Sequence, residues 1–422
     1  SGLSWSSAMV TRACHHQPER EEPDCSEDLA TLPSIGGLSF DPSTYELQLQ
    51  RKCERVSANL GALLGTLHGR MAVFRSPPVH FRMRQNFSIE FTEGRKPRYV
   101  WGAPYEAVET FPAAAEAICD MMPRFMATLH SDDVLAQGLS AVHFLSTLSG
   151  QLVISLFYKC SLHEAWVSRA TAAREALGDE ASLSIMGHSK GVVETVGRNH
   201  VNEELHLSDG RCLRYRQMVG SFSNPNAYIN QDCLSWLCEI VQKLEADYGV
   251  CTWGDLLELY CGNGNHTCAL APHFRSVLAV ELNRALCSAA EHNLAQNGIL
   301  NAKVVASDSA KFCLRVLRTQ AWRDPATQVE YCFRVVLVDP PRQGLDATTL
   351  KLVKRYDAII YISCGAEALR ANLQELIETH QVAHAAFFDH FAYTPHIETA
   401  LCLIKQGLKR TSEALEPRVT SL

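Results

Sequence analysis

Apolar residues recur at helical spacing over residues 44–69, where Leu47, Leu49, Val56, Leu60, Leu63 and Leu64 predict a helix. After Pro77-Pro78 the period changes to two. Phe81, Met83, Gln85, Phe87, Ile89 and Phe91 fall on one face of a predicted strand, and Arg82, Arg84, Asn86 and Ser88 on the other. A helix over 112–130, strands near 141–148 and 151–158, a helix over 161–177 and strands near 183–188 and 192–197 follow, an α+β order. From about residue 222 the rhythm becomes strand–helix alternation. Helix 225–247 leads into strands at 256–260, 277–282, 303–307, 333–338, 358–363, 382–388 and 399–404, with helices between the first six. Such alternation predicts an α/β domain with a mostly parallel, seven-stranded, Rossmann-like sheet covered on both faces. The last two strands have only a loop between them and are expected to pair antiparallel at an edge. The stretch 321–331 reads as a surface loop. Residues 1–40 carry no sustained apolar period and read as a weakly structured extension. The expected division is therefore 1–40, an α+β domain over 41–221 and an α/β domain over 222–422.

Composition narrows the class only a little. The 422 residues are 46% hydrophobic and 20% charged, and the net charge is -7. Any contact with a polyanion must then come from a local basic patch on an acidic body. No run reaches the roughly 18 apolar residues of a membrane span. The 16 cysteines are scattered and never form C-x-x-C, which argues against zinc ribbons and iron–sulfur ligation. They read as core thiols of an intracellular protein in a reducing compartment, with cytoplasm and mitochondrion both open. Cys14, His15, His16 and Cys25 fit no ligand set by spacing, so no metal is expected.

Two groups of residues at predicted strand ends point to chemistry. Leu256-Leu-Glu-Leu-Tyr260-Cys-Gly262-Asn-Gly-Asn265 runs from a strand through a tight glycine turn into a helix. The next strand ends in Glu281, placed to hold ribose hydroxyls, and the third ends at Asp308, within reach of an adenine amino group. A short G-x-G without a third glycine suits S-adenosylmethionine better than a dinucleotide, whose pyrophosphate needs a longer cradle. The second group is Val338-Asp339-Pro-Pro-Arg342, Ser363-Cys364-Gly365 and Pro395-His-Ile-Glu398. Carboxyl ends of neighbouring parallel strands line one crevice, so Asp339 and Cys364 are expected beside the cofactor, with Glu398 brought there by its loop. Carbon 5 of uracil is a poor nucleophile. A thiolate adding to carbon 6 makes it an enolate carbon, and a base must later remove the proton at carbon 5. Arg342 or the N-terminus of the following helix is expected to lower the thiol's pKa.

These motifs, together with Phe74-Arg-Ser-Pro, Phe81-Arg-Met-Arg and Thr147-Leu-Ser, resemble in content and order those of the bacterial TrmA-type tRNA (uracil-5-)-methyltransferases over roughly residues 42–405. The resemblance implies a class I S-adenosylmethionine-dependent methyltransferase domain preceded by an RNA-binding domain. It implies Cys364 as nucleophile, Glu398 as proton acceptor and cofactor contacts from Tyr260, Asn265, Glu281 and Asp339. The implied partner is tRNA, through an unstacked T-loop uridine, with ribosomal RNA as the alternative and a monomer as the expected state. Arg82, Arg84 and Arg342 become candidates for RNA contact. Three departures stand out. Asn224 replaces the family's glutamine with a shorter amide, Gly365 replaces its asparagine, and Ser140 falls where an aromatic is expected. They motivate a rival reading as an RNA-binding factor that has lost catalysis. A 5-methylcytosine methyltransferase is a weaker rival, because its second cysteine is absent from the Asp339-Pro-Pro-Arg342 motif.

Overall fold

A computed structural model describes residues 40–67, 71–102, 105–251 and 254–411. The extension expected over residues 1–39, with Cys14, His15, His16 and Cys25, lies outside them. The first helix, α1 (Tyr45–Leu60), buries Tyr45, Gln48, Leu49, Lys52, Val56 and Leu60. Leu47, expected on that face, is 49% exposed, and the charged Lys52 takes a core position instead.

The elements that follow are β1 (Ala72–Phe74), β2 (Arg84–Phe91), β3 (Pro97–Trp101), β4 (Glu106–Ala107), α2 (Glu116–Ser131), α3 (Asp133–Ala136), β5 (Leu139–Ser146), β6 (Leu152–Tyr158), α4 (Trp166–Leu177), β7 (Leu183–Ser189) and β8 (Val192–Val196). Strands β2 to β8 form one sheet in the order β4-β3-β2-β5-β6-β7-β8, antiparallel except between β6 and β7. One of its faces carries Phe87, Val142, Phe144, Ile154, Leu156 and Ile185 into the core with Ile118, Met122 and Phe125 of α2. Gly187 is required there: a Cβ on it would stand 2.5 Å from the Trp166 ring of α4. The strand expected from residue 81 begins at Arg84, because the backbone before it bonds elsewhere. Arg82 N donates to Ala113 O at 2.9 Å and Met83 N to Pro225 O at 2.8 Å.

A hairpin of β9 (His200–His206) and β10 (Cys212–Met218) was not expected from the pattern. Its buried positions include Glu203 and Gln217 as well as Val201, Leu205, Leu213 and Tyr215. Polar residues on the inner face blur the alternation that marks a strand.

The last part runs through α5 (Ala227–Tyr248), β11 (Asp255–Leu259), α6 (Asn265–Leu270), β12 (Ser276–Glu281), α7 (Arg284–Gln296), β13 (Ala302–Ala306), α8 (Ser309–Thr319), β14 (Trp322–Arg323), β15 (Glu330–Tyr331), β16 (Phe333–Val338), α9 (Ala347–Val353), β17 (Ala358–Ser363), α10 (Ala366–Leu376), β18 (His380–Phe388) and β19 (Glu398–Lys405). The supposed loop 321–331 holds the small β14–β15 pair. The large sheet has the order β1-β18-β19-β17-β16-β11-β12-β13. Seven strands are those anticipated, and β11, β12, β13, β16 and β17 are mutually parallel. The eighth, β1, comes from the N-terminal half and pairs parallel with β18. The β18–β19 pair is antiparallel as expected. It is not at the edge, because β19 inserts beside β17 and β1 covers β18. The chain winds from β11 out to β13 and returns to β16 on the other side. That reversal opens a crevice at the carboxyl ends of β11 and β16.

Candidate active site

The crevice begins with the glycine turn after β11. Tyr260, Gly262 and Gly264 all have left-handed backbones, with φ of 64°, 56° and 78°. Such a conformation is natural for glycine and costly for tyrosine, so the turn is held by its surroundings. Tyr260 is half-buried, close enough to Thr349 and Ser309 for both to act on its phenol. Glu281, at the end of β12, accepts from Gly262 N at 3.1 Å and Asn283 N at 2.7 Å. Nothing lies within 4 Å of the place a Gly262 Cβ would take. The backbone is therefore open to a ligand at that point.

Asn265 opens α6, and its amide exchanges two hydrogen bonds with Asn230 of α5, at 2.8 and 3.0 Å. Asn224 donates to the same Asn230 oxygen at 3.5 Å. The short amide is thus tied to the glycine turn through Asn230. Asp308 lies beyond the end of β13 and caps α8, accepting from Lys311 N at 2.9 Å. An open glycine cradle, a carboxylate at the end of the second strand and amides on the facing helix fit a nucleoside with a small charged tail, as in S-adenosylmethionine. Tyr260, Gly262, Asn265, Glu281, Asp308 and Asp339 all stand at or just after the carboxyl ends of β11, β12, β13 and β16.

Cys364, Asp339 and Glu398 meet because of strand direction. Cys364 follows β17, which runs parallel to β16 and its terminal neighbour Asp339. β19 runs the other way, with Thr399 opposite Ser363. Its first residue, Glu398, therefore stands at the same end as Cys364. Phe388 closes β18 opposite Glu398, and His390 comes two residues later. Nε2 of His390 is 2.9 Å from Glu398 Oε2. Neither nitrogen of this buried ring has an aligned hydrogen-bond partner among the described residues, so the contact is one of proximity.

The carboxyl groups are pushed apart in pKa. Burial, then the charges of Glu398 and Glu258, raise Asp339 well above the usual carboxylate range. Burial also acts to raise Glu398, but His390 and His266 outweigh it and leave Glu398 below its ordinary value. Asp339 is thus biased toward its protonated form and Glu398 toward its ionised one. Glu258, sealed beneath them on β11, is raised by burial to about 8 although Thr267 Oγ1 donates to it at 2.6 Å. The Cys364 thiol departs from expectation. Burial, then Glu398 and Asp339, raise its pKa, and the opposing charge and hydrogen bond of Arg342 do not overcome them. Cys364 therefore rests as a thiol.

The loop before Glu398 is anchored from the N-terminal half. Lys52 reaches Asp389 and also donates to Phe391 O at 3.1 Å and His396 O at 3.2 Å. Tyr45 OH donates to Asp389 Oδ2 at 3.0 Å, and Tyr393 OH to Pro78 O at 2.6 Å. Of the arginines proposed for RNA, Arg342 is exposed near Cys364. Arg82 Nε donates to Arg84 O at 3.0 Å, and Arg84 Nη1 to Ser221 O at 3.4 Å. Sequence reasoning missed Asn230, His266, His390 and Lys52. Only Lys52 had a legible signal, a lysine at the spacing of a buried stripe. Among the described residues Glu204, His206 and Cys212 bring ligand-type atoms within 4.8 Å of one another, away from this crevice. Arg214 already engages that glutamate at 2.9 Å.

Comparison with known proteins agrees with this geometry. The family model described as tRNA (Uracil-5-)-methyltransferase matches residues 44–406. The chain is 40% identical over 383 residues to a tRNA/tmRNA (uracil-C(5))-methyltransferase of Aromatoleum aromaticum, covering 89% of this chain and 98% of that protein. A protein of the same description from Dechloromonas aromatica is 39% identical over 375 residues, covering 87% and 99%. Among solved structures, the Pyrococcus abyssi tRNA (uracil-54, C5)-methyltransferase in complex with S-adenosyl-L-homocysteine superposes with a TM-score of 0.63 at 19% identity. The match covers 85% of this chain and 83% of that one, a likeness of fold.

Proposed function

The chain belongs to the tRNA (uracil-5-)-methyltransferase family, and we propose that it methylates carbon 5 of a T-loop uridine in tRNA, with Cys364 as nucleophile and Glu398 as base. It is an S-adenosylmethionine-dependent RNA uracil-C5 methyltransferase. The bound cofactor supplies the methyl group as an electrophilic sulfonium. The register of β17 against β19, which sets the thiol and the unprotonated carboxylate at one strand end, carries the assignment of roles.

The chain's own residues act in sequence. Cys364 loses its proton as the uracil is engaged, and its sulfur bonds to carbon 6. Arg342, exposed beside the thiol, offsets the charge of the developing thiolate. Burial beside Glu398 pushes the Asp339 carboxyl toward its protonated form, which limits the second negative charge that opposes the thiolate. After carbon 5 is methylated, Glu398 takes its proton. The electron pair returns through carbon 6, the carbon–sulfur bond breaks and Cys364 leaves. Asn224, Tyr260, Gly262, Asn265, Glu281, Asp308 and Asp339 hold the cofactor. Residues 41–221 supply RNA binding, in which Arg82 and Arg84 contact phosphates, and residues 222–422 supply catalysis.

Incubation with methyl-labelled S-adenosylmethionine and candidate RNAs, followed by mass mapping, tests the proposal. The expected product is 5-methyluridine in the tRNA T-loop. Cofactor binding without 5-methyluridine in any RNA overturns it.

A further inference from the structure

Each methyl transfer leaves one surplus proton in the site. Cys364 regains only the proton it gave up, so the one taken from carbon 5 stays on Glu398 until something removes it. Water has poor access: the Glu398 side chain is 14% exposed before any ligand enters, and a uracil placed for proton transfer covers it further. Two buried histidines act on this carboxylate. His266 of α6 leads inward, with Nδ1 3.8 Å from Oε1 of Glu258, which is sealed on β11. Burial also holds the pKa of His266 at about 4, so it is a poor proton acceptor near pH 7. His390 leads outward. Its Nε2 is 2.9 Å from Glu398 Oε2, and the Phe388 and Phe391 rings stand 6.5 and 6.3 Å from its own. Trp236 of α5 meets Phe388 edge-on at 5.7 Å. Asp232 lies one turn before Trp236, on the same face of α5, and is exposed to solvent.

We propose that His390 is a proton relay, taking the carbon 5 proton from Glu398 and passing it to Asp232 at the surface, so that elimination is not reversed while the RNA is still bound. The proposal rests on the assignment of Glu398 as the base. The carbon 5–hydrogen bond breaks toward Glu398, and its electron pair closes the carbon 5–carbon 6 double bond as the carbon–sulfur bond breaks. The O–H bond of Glu398 then breaks toward Nε2 of His390, and the ring releases a proton from Nδ1 toward Asp232 and the solvent. One proton enters the ring and one leaves it. While the proton stays on Glu398, it is able to return to carbon 5 as the thiolate adds again. Once it is on Asp232, that reversal is closed.

Three observations carry the relay. The first is distance. A gap of 2.9 Å is within reach of proton transfer, and such contacts come into line as a site fills. The second is the state of the ring. Neither nitrogen of His390 has a hydrogen-bond partner among the described residues, although the side chain is only 1% exposed. Buried polar groups are as a rule hydrogen-bonded, so an unpartnered imidazole beside the base calls for a role. No such bond holds either nitrogen against taking or giving a proton. The third is the direction of transfer. The titratable groups facing His390 are Glu398 of β19, His266 of α6 and Asp232 of α5. Glu398 is left below its ordinary value and gives up a proton readily. Burial raises Asp232 above its own, although His390 acts to lower it. The proton thus passes from the weaker carboxylate acceptor to the stronger one, at the solvent side.

The test compares His390→Gln, His390→Ala and Asp232→Asn in the full chain, using a transcribed tRNA and S-adenosylmethionine. Measurements are made on the alkaline plateau of the pH–rate profile, where Glu398 is ionised in every variant. Glutamine keeps a polar group beside Glu398 but carries no proton. Loss of the relay is expected to lower kcat roughly tenfold or more in both His390 variants, and by less in Asp232→Asn. It should also raise the amount of methylated RNA linked to the enzyme in denaturing gels during turnover. Imidazole added to His390→Ala should restore kcat and clear the adduct. A merely structural role would slow every step without building up adduct. Binding of S-adenosylmethionine and the melting temperature serve as controls for folding. Unaltered kcat and adduct in both His390 variants overturn the relay and leave Glu398 as the base. So does a lower kcat that brings no adduct and does not respond to imidazole. An Asp232→Asn enzyme identical to the unaltered one overturns the exit through α5. A Glu398→Gln enzyme that turns over freely instead overturns the base, and the relay with it.

Discussion

Lys52 and Asp389 form an ion pair closed off from solvent, their side chains 6% and 0% exposed, between the first helix and the turn that leads to Glu398. The same ammonium holds two carbonyls of the 391–396 loop. A helix far away in sequence therefore determines where His390 and Glu398 stand. Removing one partner of a buried pair leaves the other charge without compensation. Lys52→Met is expected to lower stability by about 3–5 kcal/mol in denaturant unfolding. Adding Asp389→Leu should recover part of that loss, because the two sites are directly coupled. If the double variant is as unstable as the sum of the singles, the pair is not the element that matters.

The division of roles at the strand ends predicts two different adducts. RNA carrying 5-fluorouracil cannot give up its carbon 5 substituent, so the enzyme should become linked to it in denaturing gels. Cys364→Ala should form none, and an adduct in that variant would assign the nucleophile elsewhere. Glu398→Gln should instead accumulate an adduct with ordinary RNA, because carbon 5 keeps its proton and the sulfur cannot leave.

His390 makes a prediction about pH. It is the largest influence lowering Glu398 against burial, which acts to raise it. The base works only when unprotonated, so activity falls as pH drops through the Glu398 pKa. His390→Leu removes the lowering influence and leaves the burial. The acid limb of the pH–rate profile should then move to higher pH, with cofactor binding unaffected. A limb that stays in place, or moves down, would show that His390 does not set the base.

Gly365 explains one departure from the family pattern. A Cβ at this position would stand 2.8 Å from Arg342 O, a backbone atom that cannot swing aside. Gly365→Asn, the family's residue, should therefore displace the 342–344 turn or the Cys364 segment. The expected result is a loss of about 1–3 kcal/mol from overpacking together with a lower kcat. A variant as stable and active as the unaltered enzyme would mean that the turn yields freely.

Much of this protein was determined by local sequence. The change of apolar period near residue 222, the glycine turn at 260–265 and acids at successive strand ends follow from patterns within about ten residues. They indicate the cofactor crevice, and the resemblance to the family then gives Cys364 and Glu398 their expected roles. Other features depend on contacts between segments hundreds of residues apart. The β1 strand is three residues long and gains its place only by pairing with β18. The Lys52–Asp389 pair spans 337 residues of chain. The raised thiol of Cys364 was misjudged because nearby Arg342 is visible in sequence, whereas burial and the facing carboxylates are not. Periodicity records which face of an element is apolar, and so it determines elements. What a polar side chain meets on the other side of the interface is set by packing, and so the tertiary structure decided the charge state and the anchoring of this enzyme's site.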